Sequence, residues 1–298
     1  MNTLAIVLID GIGFASWLFL VSAGITFIFG VLRILNVAHG AVYSIGAYLG
    51  ATFVLKLLPA AAPGWLAFPA LFAAALVVGA TLGPVIERLF LRRIYGEEEV
   101  IGLLTTFALF LVLEDLMKLI WGIQPYIVDK PFRLLGKIDI AGIAFAGYPI
   151  LLTGVAVLSG IALWVVMHRT RFGRDVTCVI CEREMAHALG INVPRIDMLA
   201  FSLGSFFAAL GGAFTAPMTS VEPGAGIEVI VLAFAVVGIG GLGSIGGAAL
   251  GCIIVGIARA AAVHLFPEIE LFIVYALMVG VLLWRPQGLF GAIELRRI

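Results

Sequence analysis

Long uninterrupted apolar runs are the feature of this sequence that most restricts its fold. The stretch from Ala70 to Val78 contains no polar residue, so every face of that segment is apolar. A helix needs roughly 20 such residues to cross the hydrocarbon core of a bilayer. We predict membrane segments at residues 11–32, 39–58, 65–88, 101–121, 148–168, 198–216, 228–240, 246–263 and 269–285.

The composition also indicates a membrane protein. Hydrophobic residues make up 62% and charged residues 12% of the chain, whereas soluble domains are about 45–50% apolar and about 25% charged. Membrane β-strands would alternate polar and apolar residues, and these runs do not. We therefore expect an all-α, polytopic transmembrane helix bundle of about 8–9 segments, two of them broken or re-entrant, in one domain over residues 1–298. The formal net charge of zero gives no indication of a nucleic-acid partner.

Basic residues are concentrated on one side of this predicted topology. The loops at residues 59–64 and 122–147 hold only three of them, whereas the other side carries Arg88, Arg92, Arg93, Arg169, Arg171, Arg174, Arg183, Arg195, Arg285, Arg296 and Arg297. Cytoplasmic loops are enriched in Lys and Arg. We therefore predict that residues 169–197 and the C-terminus are cytoplasmic and that the N-terminus is extracytoplasmic.

Two stretches interrupt the apolar pattern. Residues 30–40 place Asn36 and His39 inside an apolar region, and residues 238–247 are rich in glycine. Interrupted segments in both halves of a chain are typical of transporters built from repeats, with the pathway at the interruptions. Alternatively, Asn36 and His39 satisfy only the backbone groups freed at the break. The candidates for a substrate pathway are Asn36, His39, Gly40, Gly241, Gly243 and Ser244.

The basic segment at residues 169–197 predicts a short helix outside the membrane. Residues 175–189 are helix-forming, and Gly190 follows where a C-cap glycine is expected. The alternatives are an amphipathic helix lying on the membrane surface and a docking helix for a cytosolic partner. The Cys-x-x-Cys pair at Cys178 and Cys181 has only His187 near it, and structural zinc needs four ligands. We therefore predict free thiols and no metal.

The remaining polar groups give little sign of chemistry. Glu114 and Asp115 lie near Lys118, and this set allows either a proton relay or an ion pair along the helix. No arrangement of Ser, His, Asp or Cys side chains indicates an enzyme, so we name no catalytic residue. The chain also lacks the Gly-x-x-x-x-Gly-Lys-Ser/Thr loop that cradles nucleotide phosphates. Energy for transport would then come from a partner ATPase or from an ion gradient.

Four motifs carry a resemblance to a known family. Glu184-x-Ala186-x-x-x-Gly190 resembles the Glu-Ala-Ala-x-x-x-Gly loop of bacterial ABC importer permeases. Residues 29–40, 240–247 and 284–291 are similar to motifs of the branched-chain amino acid permeases of the LivH type. Met185 and the Cys-x-x-Cys pair depart from the family pattern. The resemblance covers nearly the whole chain.

The resemblance implies a permease of a binding-protein-dependent ABC importer in the bacterial inner (plasma) membrane. Its implied partners are a homologous second permease, two cytosolic ATP-binding subunits, a periplasmic substrate-binding protein and membrane lipid. The chain would need no cofactor, because the partner subunits bind ATP. Residues 169–197 would be the coupling loop, and its ATPase-coupling residues would be Glu184, Ala186 and Gly190.

The substrate and the energy source have alternatives. Leucine, isoleucine and valine are the cargo that the resemblance implies, and other amino acids, amides or urea are alternatives. An ion-coupled secondary transporter of small polar solutes is the alternative function. That class would favour acidic residues beside the helix breaks, where this sequence has only basic and neutral polar groups.

Overall fold

The apolar runs fold into helices, which pair their backbone groups internally. The computed structural model describes residues 2–59, 62–140 and 143–291. Its α-helices are α1 (Asn2–Leu32), α2 (His39–Thr52), α3 (Ala67–Leu89), α4 (Glu99–Trp121), α5 (Lys130–Leu135), α6 (Gly147–Arg169), α7 (Arg171–Cys181), α8 (Arg183–Ala188), α9 (Val193–Thr215), α10 (Ala225–Gly240), α11 (Ile245–Leu265) and α12 (Glu270–Trp284).

The predicted helix bundle is confirmed. Within the described residues, seven helical segments are long and apolar enough to cross a membrane, and α10 and most of α12 form two shorter apolar helices. They lie at the nine predicted positions, although α1 begins at Asn2 instead of residue 11 and α9 at Val193 instead of residue 198. The antiparallel strands β1 (Lys137–Ile140) and β2 (Ile143–Ala146) are a small exception to the all-helical expectation.

The two ends of the bundle differ in charge. At one end, Arg92 after α3 donates to the carbonyl oxygen of Pro194 in α9 at 3.2 Å, and Gly30 in α1 packs against Gly243 before α11. This end carries the arginine-rich loops, so we call it the basic end; Arg296 and Arg297 lie outside the described residues. The opposite end carries β1 and β2, and we call it the hairpin end.

Small residues let the central helices cross closely. A Cβ added to Gly24 of α1 would overlap the carbonyl oxygen of Gly204 in α9, and α1 and α9 run in opposite directions. On α2, Gly46 packs directly against the backbone of Ala209 in α9. Such contacts favour association in lipid, where no hydrophobic force acts between helices. These glycines therefore pack helices within one chain.

Helices α9–α12 repeat the packing of α1–α4 in the opposite direction. Helix α1 packs against α11 as α9 packs against α3, and α2 meets α10 where Gly40 and Gly226 contact each other's carbonyl oxygens. The counterpart of the break after α1 is therefore the connection at residues 216–224. The predicted pairing of residues 30–40 with 238–247 is therefore wrong. That prediction was based on the glycine content of both stretches, whereas the 216–224 connection is interrupted by prolines.

Candidate functional site

The first break lies inside the bundle. α1 ends at Leu32, and α2 begins at His39, whose Nε2 lies 3.0 Å from the carbonyl oxygen of Val21 in α1. α2 therefore starts beside the middle of α1, and residues 33–38 run back along α1. Arg33 has a φ of 55°, which is uncommon for a residue other than glycine and helps to reverse the chain.

A threonine on α4 holds this reversed segment in place. The hydroxyl of Thr106 accepts a hydrogen bond from the backbone N–H of Val37 at 3.2 Å and lies 3.1 Å from the carbonyl oxygen of Leu35. Thr106 is completely buried. The sequence analysis missed this residue, because a hydroxyl in an apolar helix usually bonds only to its own backbone.

Asn36 and His39 are buried polar residues with unused hydrogen-bonding atoms. Both amide atoms of Asn36, and Nδ1 of His39, have no hydrogen-bond partner among the described residues. A buried polar atom left unsatisfied costs about 1–3 kcal/mol, and polar residues inside membranes are often functional. A purely structural role therefore explains one nitrogen of His39 but neither amide atom of Asn36.

The second group of candidates lies at the basic end, in a turn of residues 241–244 that we call the glycine turn. Gly241 and Gly243 have φ values of 105° and 81°, which glycine adopts without the steric cost of a Cβ. Ser244 caps α11, since its Oγ accepts a hydrogen bond from the backbone N–H of Gly247 at 3.0 Å.

The six candidates thus form two groups. Gly243 packs against Gly30, the last glycine before the first break, so the glycine turn lies beside the end of α1. The interior group consists of Asn36, His39 and Gly40. Within this group, Gly40 packs against α10.

The C-terminal segment covers the glycine turn. The backbone N–H of Leu289 donates to the carbonyl oxygen of Ile239 at 2.8 Å, and that of Phe290 donates to Gly240 at 3.0 Å. A Cβ on Gly241 would meet the backbone of Phe290 at 2.9 Å. The absence of a side chain at Gly241 therefore lets the C-terminal segment dock.

The segment between α6 and α9 contains two helices. The hydroxyl of Thr170 caps α7 by accepting a hydrogen bond from the backbone N–H of Gly173 at 3.2 Å, and Glu182 separates α7 from α8 in an extended conformation. The predicted single helix over residues 175–189 is therefore wrong. The junction contains neither glycine nor proline, so the sequence does not indicate that the helix is interrupted there. We call residues 170–192, which lie within the predicted coupling loop of residues 169–197, the coupling segment.

The predicted C-cap at Gly190 is confirmed. Gly190 has a φ of 81°, and the backbone N–H of Ile191 donates to the carbonyl oxygen of Ala186 at 3.0 Å. Ala186 is only 1% exposed, while Glu184 is exposed. Ala186 is therefore a packed position, Glu184 a surface charge and Gly190 the residue that caps the helix. Cys178 and Cys181 are exposed free thiols.

Ion pairs hold the basic end together. Arg183 of α8 pairs with Asp197 of α9, which is 2% exposed. Glu87, completely buried, accepts hydrogen bonds from Arg92 at 3.0 and 3.2 Å. Burial and these two carboxylates raise the pKa of Tyr95 well above its usual range. In each pair the carboxylate is buried and the arginine is partly exposed, and the Arg183–Asp197 pair attaches α8 to α9.

The two acids in α4 have separate partners. Asp115 pairs with Lys118 at 2.9 Å, which confirms the expected ion pair along the helix. Glu114 instead accepts a hydrogen bond from the backbone N–H of Gly224 at 3.0 Å. Gly224 has a φ of 93° and ends the 216–224 connection. α4 therefore contacts both breaks, through Thr106 at the first and Glu114 at the second.

Comparisons with known proteins identify the family of this chain. Residues 7–282 match the family described as branched-chain amino acid transport system / permease component. The chain is 28% identical over 295 residues to the high-affinity branched-chain amino acid transport system permease protein LivH of Escherichia coli (strain K12), covering 97% of this chain and 96% of that one.

Two other permeases show how far the likeness extends. The high-affinity branched-chain amino acid transport system permease protein BraD of Pseudomonas aeruginosa is 30% identical over 301 residues, covering 98% of this chain and 97% of that one. The ribose import permease protein RbsC of Bacillus subtilis (strain 168) is 36% identical over 107 residues, 34% of this chain and 33% of that one. This chain therefore belongs to the permease family of branched-chain amino acid transport systems.

Proposed function

We propose that this chain is the transmembrane permease subunit of an ABC importer for branched-chain or related amino acids, in a bacterial inner membrane. The observation that carries the proposal is its similarity, over nearly the full length, to the LivH and BraD permeases. The family is one of transport permeases and not of enzymes. The inverted packing of α1–α4 and α9–α12 supports transport, because such repeats are common in transporters.

The energy source that we propose is ATP bound by partner subunits. The chain has no phosphate-binding loop of its own and needs no cofactor in this scheme. Its partners are two cytosolic ATP-binding subunits, a homologous second permease and a periplasmic binding protein. The exposed, arginine-flanked coupling segment offers the ATPases a contact surface at the basic end.

The interior group is our proposed substrate pathway. Asn36, His39 and Gly40 lie where α2 begins in the middle of the bundle, and the amide of Asn36 is available to hydrogen-bond a polar solute passing the break. We place the exit of this pathway at the basic end, beside Gly241, Gly243 and Ser244. The contact between Gly30 and Gly243 supports this order, because it joins the two groups through α1.

Reconstitution tests the proposed function. The chain is placed in proteoliposomes with its cognate ATPases, second permease and binding protein, and uptake of labelled L-leucine, L-glutamine, urea and ribose is measured. We expect ATP-dependent uptake of L-leucine, at least about tenfold faster than with an ATPase that cannot hydrolyse ATP. Uptake that does not depend on ATP but does depend on a sodium or proton gradient would instead support a secondary transporter.

The orientation is a separate proposal, with the basic end and the C-terminus in the cytoplasm and the N-terminus outside. Gln124, near the hairpin end, and His187, in the coupling segment, are both exposed. In a background without the three native cysteines, we expect an impermeant thiol reagent added to intact cells to label Gln124→Cys and not His187→Cys. In inverted vesicles the reverse should hold. Labelling of both from one side would overturn the orientation.

A further inference from the structure

An apolar groove runs along the outer surface of the bundle, between α6 and α9. These two helices both pack against α1, and the gap between them has a volume of about 250 Å³. Its walls are almost entirely hydrocarbon, and they extend from Leu158 to Val166 on α6 and from Leu203 to Phe207 on α9, with Phe72 of α3. Leu158 is 69% exposed, so the groove is open to the surrounding lipid.

The groove lies at the depth of the acyl chains of one leaflet. From Leu158 to Val166 it extends about 12 Å along α6, at 1.5 Å per residue, and one leaflet supplies about half of a hydrocarbon core of roughly 30 Å. Val166 is one helical turn from Arg169, the last residue of α6. The exposed Trp164, which stacks on His168, is of the type that marks a membrane interface. The groove therefore occupies the leaflet at the basic end.

An arginine stands at the basic end of each wall. Arg169 ends α6, and Arg195 lies in the first turn of α9, two turns before Leu203 on the same broad face of that helix. Both arginines are exposed, and neither side chain has a hydrogen-bond or ion-pair partner among residues 2–59, 62–140 and 143–291. In contrast, Arg92 and Arg183 each pair with a buried carboxylate. Two guanidinium groups are therefore available above the groove.

Positive charge is in excess around these arginines. Among residues 166–176 and 193–199 there are four arginines but only two acids, Asp175 and Asp197. Asp197 is already paired with Arg183. The mouth of the groove at the basic end therefore matches an anionic group.

We propose that an anionic phospholipid binds here, with an acyl chain in the groove and its phosphate held by Arg169 and Arg195. Arginine can bind a phosphate with two hydrogen bonds, and basic sites between membrane helices on the cytoplasmic side bind anionic headgroups. A lipid with a choline headgroup is less suitable, because its own positive charge cancels that of the phosphate. A membrane helix of a second permease would match the apolar walls alone, and not the two guanidinium groups.

The position of the two arginines gives the lipid a structural role. Arg169 directly precedes the coupling segment and Arg195 follows it, so a headgroup held by both joins the two ends of this segment. The backbone of α7 also packs closely on the end of α6, where a Cβ on Gly173 would overlap the carbonyl oxygen of Met167. The lipid therefore supports the base of the coupling segment, whichever solute the chain carries.

Native mass spectrometry of the purified full chain in detergent tests the site. The probes are phosphatidylglycerol and phosphatidylcholine with identical acyl chains. We expect phosphatidylglycerol to bind at least about tenfold more tightly than phosphatidylcholine. Arg169→Gln and Arg195→Gln should each weaken phosphatidylglycerol binding at least about fivefold. The matched control Arg285→Gln, which removes an exposed arginine after α12, should bind both lipids as the wild type does.

A second substitution tests the groove separately from the arginines. Ala162 lines the groove, so the phenyl ring of Ala162→Phe should fill it and weaken phosphatidylglycerol binding at least about fivefold. Ala108→Phe, at an exposed alanine of α4, is the matched control and should bind as the wild type does. Thermal melting shows whether each variant is folded, and Ala162→Leu replaces Ala162→Phe if the latter does not fold.

Three results would overturn the site. The first is equal binding of the two lipids by the wild type. The second is wild-type binding of phosphatidylglycerol by the folded arginine variants or by the folded groove variant. The third is a dimer that Ala162→Phe disrupts and phosphatidylglycerol does not affect, because a second copy of the chain would then fill the groove.

Discussion

Replacement of Gly241 by leucine is expected to reduce amino-acid uptake at least about tenfold, while the protein still inserts into the membrane. Gly241 has a φ of 105°, and a backbone region that belongs essentially to glycine costs another residue of order 1–3 kcal/mol. A side chain there would also meet the backbone of Phe290. Insertion depends on the flanking apolar helices, which the substitution leaves unchanged.

The comparison that isolates this effect is Gly246→Leu. Gly246 lies in the first turn of α11, has no positive φ, and has no other atom within 4 Å of an added Cβ. The Gly246→Leu variant should therefore insert into the membrane and transport amino acids as the wild type does. In Gly241→Leu, the segment that follows Gly288 should be digested faster by a protease, because this segment no longer docks on the glycine turn. Normal uptake together with normal protease resistance in Gly241→Leu would contradict the role assigned to the turn.

The helices could be predicted from the sequence, but their partners could not. An apolar run of membrane length has to be helical in lipid, so nine positions followed from hydropathy. Which helices pair depends on where small residues meet. Gly226 of α10 faces Gly40 of α2, and nothing in the two local sequences indicates that contact. The inverted repeat is therefore visible only in three dimensions.

The site was predictable to a similar degree. Asn36 and His39 were found because polar residues are rare inside apolar runs, and the cap at Gly190 because glycine often ends helices. Thr106 was missed, since its partners are backbone atoms some 70 positions away along the chain. The interruption at Glu182 was missed because it depends on how α7 and α8 each pack on the bundle, not on a residue that breaks helices.

The coupling segment provides the second large effect, through substitutions at Gly190. Its φ is 81°, and an added Cβ would meet no atom within 4 Å, so any effect of a new side chain comes from backbone conformation and not from a clash. The left-handed conformation costs an ordinary L-residue roughly 1–2 kcal/mol, and a β-branched residue is a clear outlier there. Asparagine tolerates this conformation and has a volume similar to that of valine.

The pair Gly190→Val and Gly190→Asn therefore tests the cap directly. The cap ends a helix of only six residues, so its loss should unwind α8 and displace Glu184. We expect Gly190→Val to lower the amount of ATPase that co-purifies with the permease by at least about tenfold. Substrate-stimulated ATP hydrolysis should fall with it, and Gly190→Asn should behave nearly as the wild type in both measurements.

A charge reversal separates loss of the cap from loss of the contact. Glu184 is exposed in α8, so Glu184→Lys should leave the helix folded and weaken ATPase binding only if this face meets the partner. Glu182→Lys, beside α8 but outside it, is the matched control and should retain more of the ATPase. If Gly190→Val and Glu184→Lys both keep wild-type co-purification and hydrolysis, the ATPases dock elsewhere. The coupling segment, with its apolar side packed on the bundle and with Arg171 and Arg174 exposed, would then be a helix pair that lies on the membrane surface.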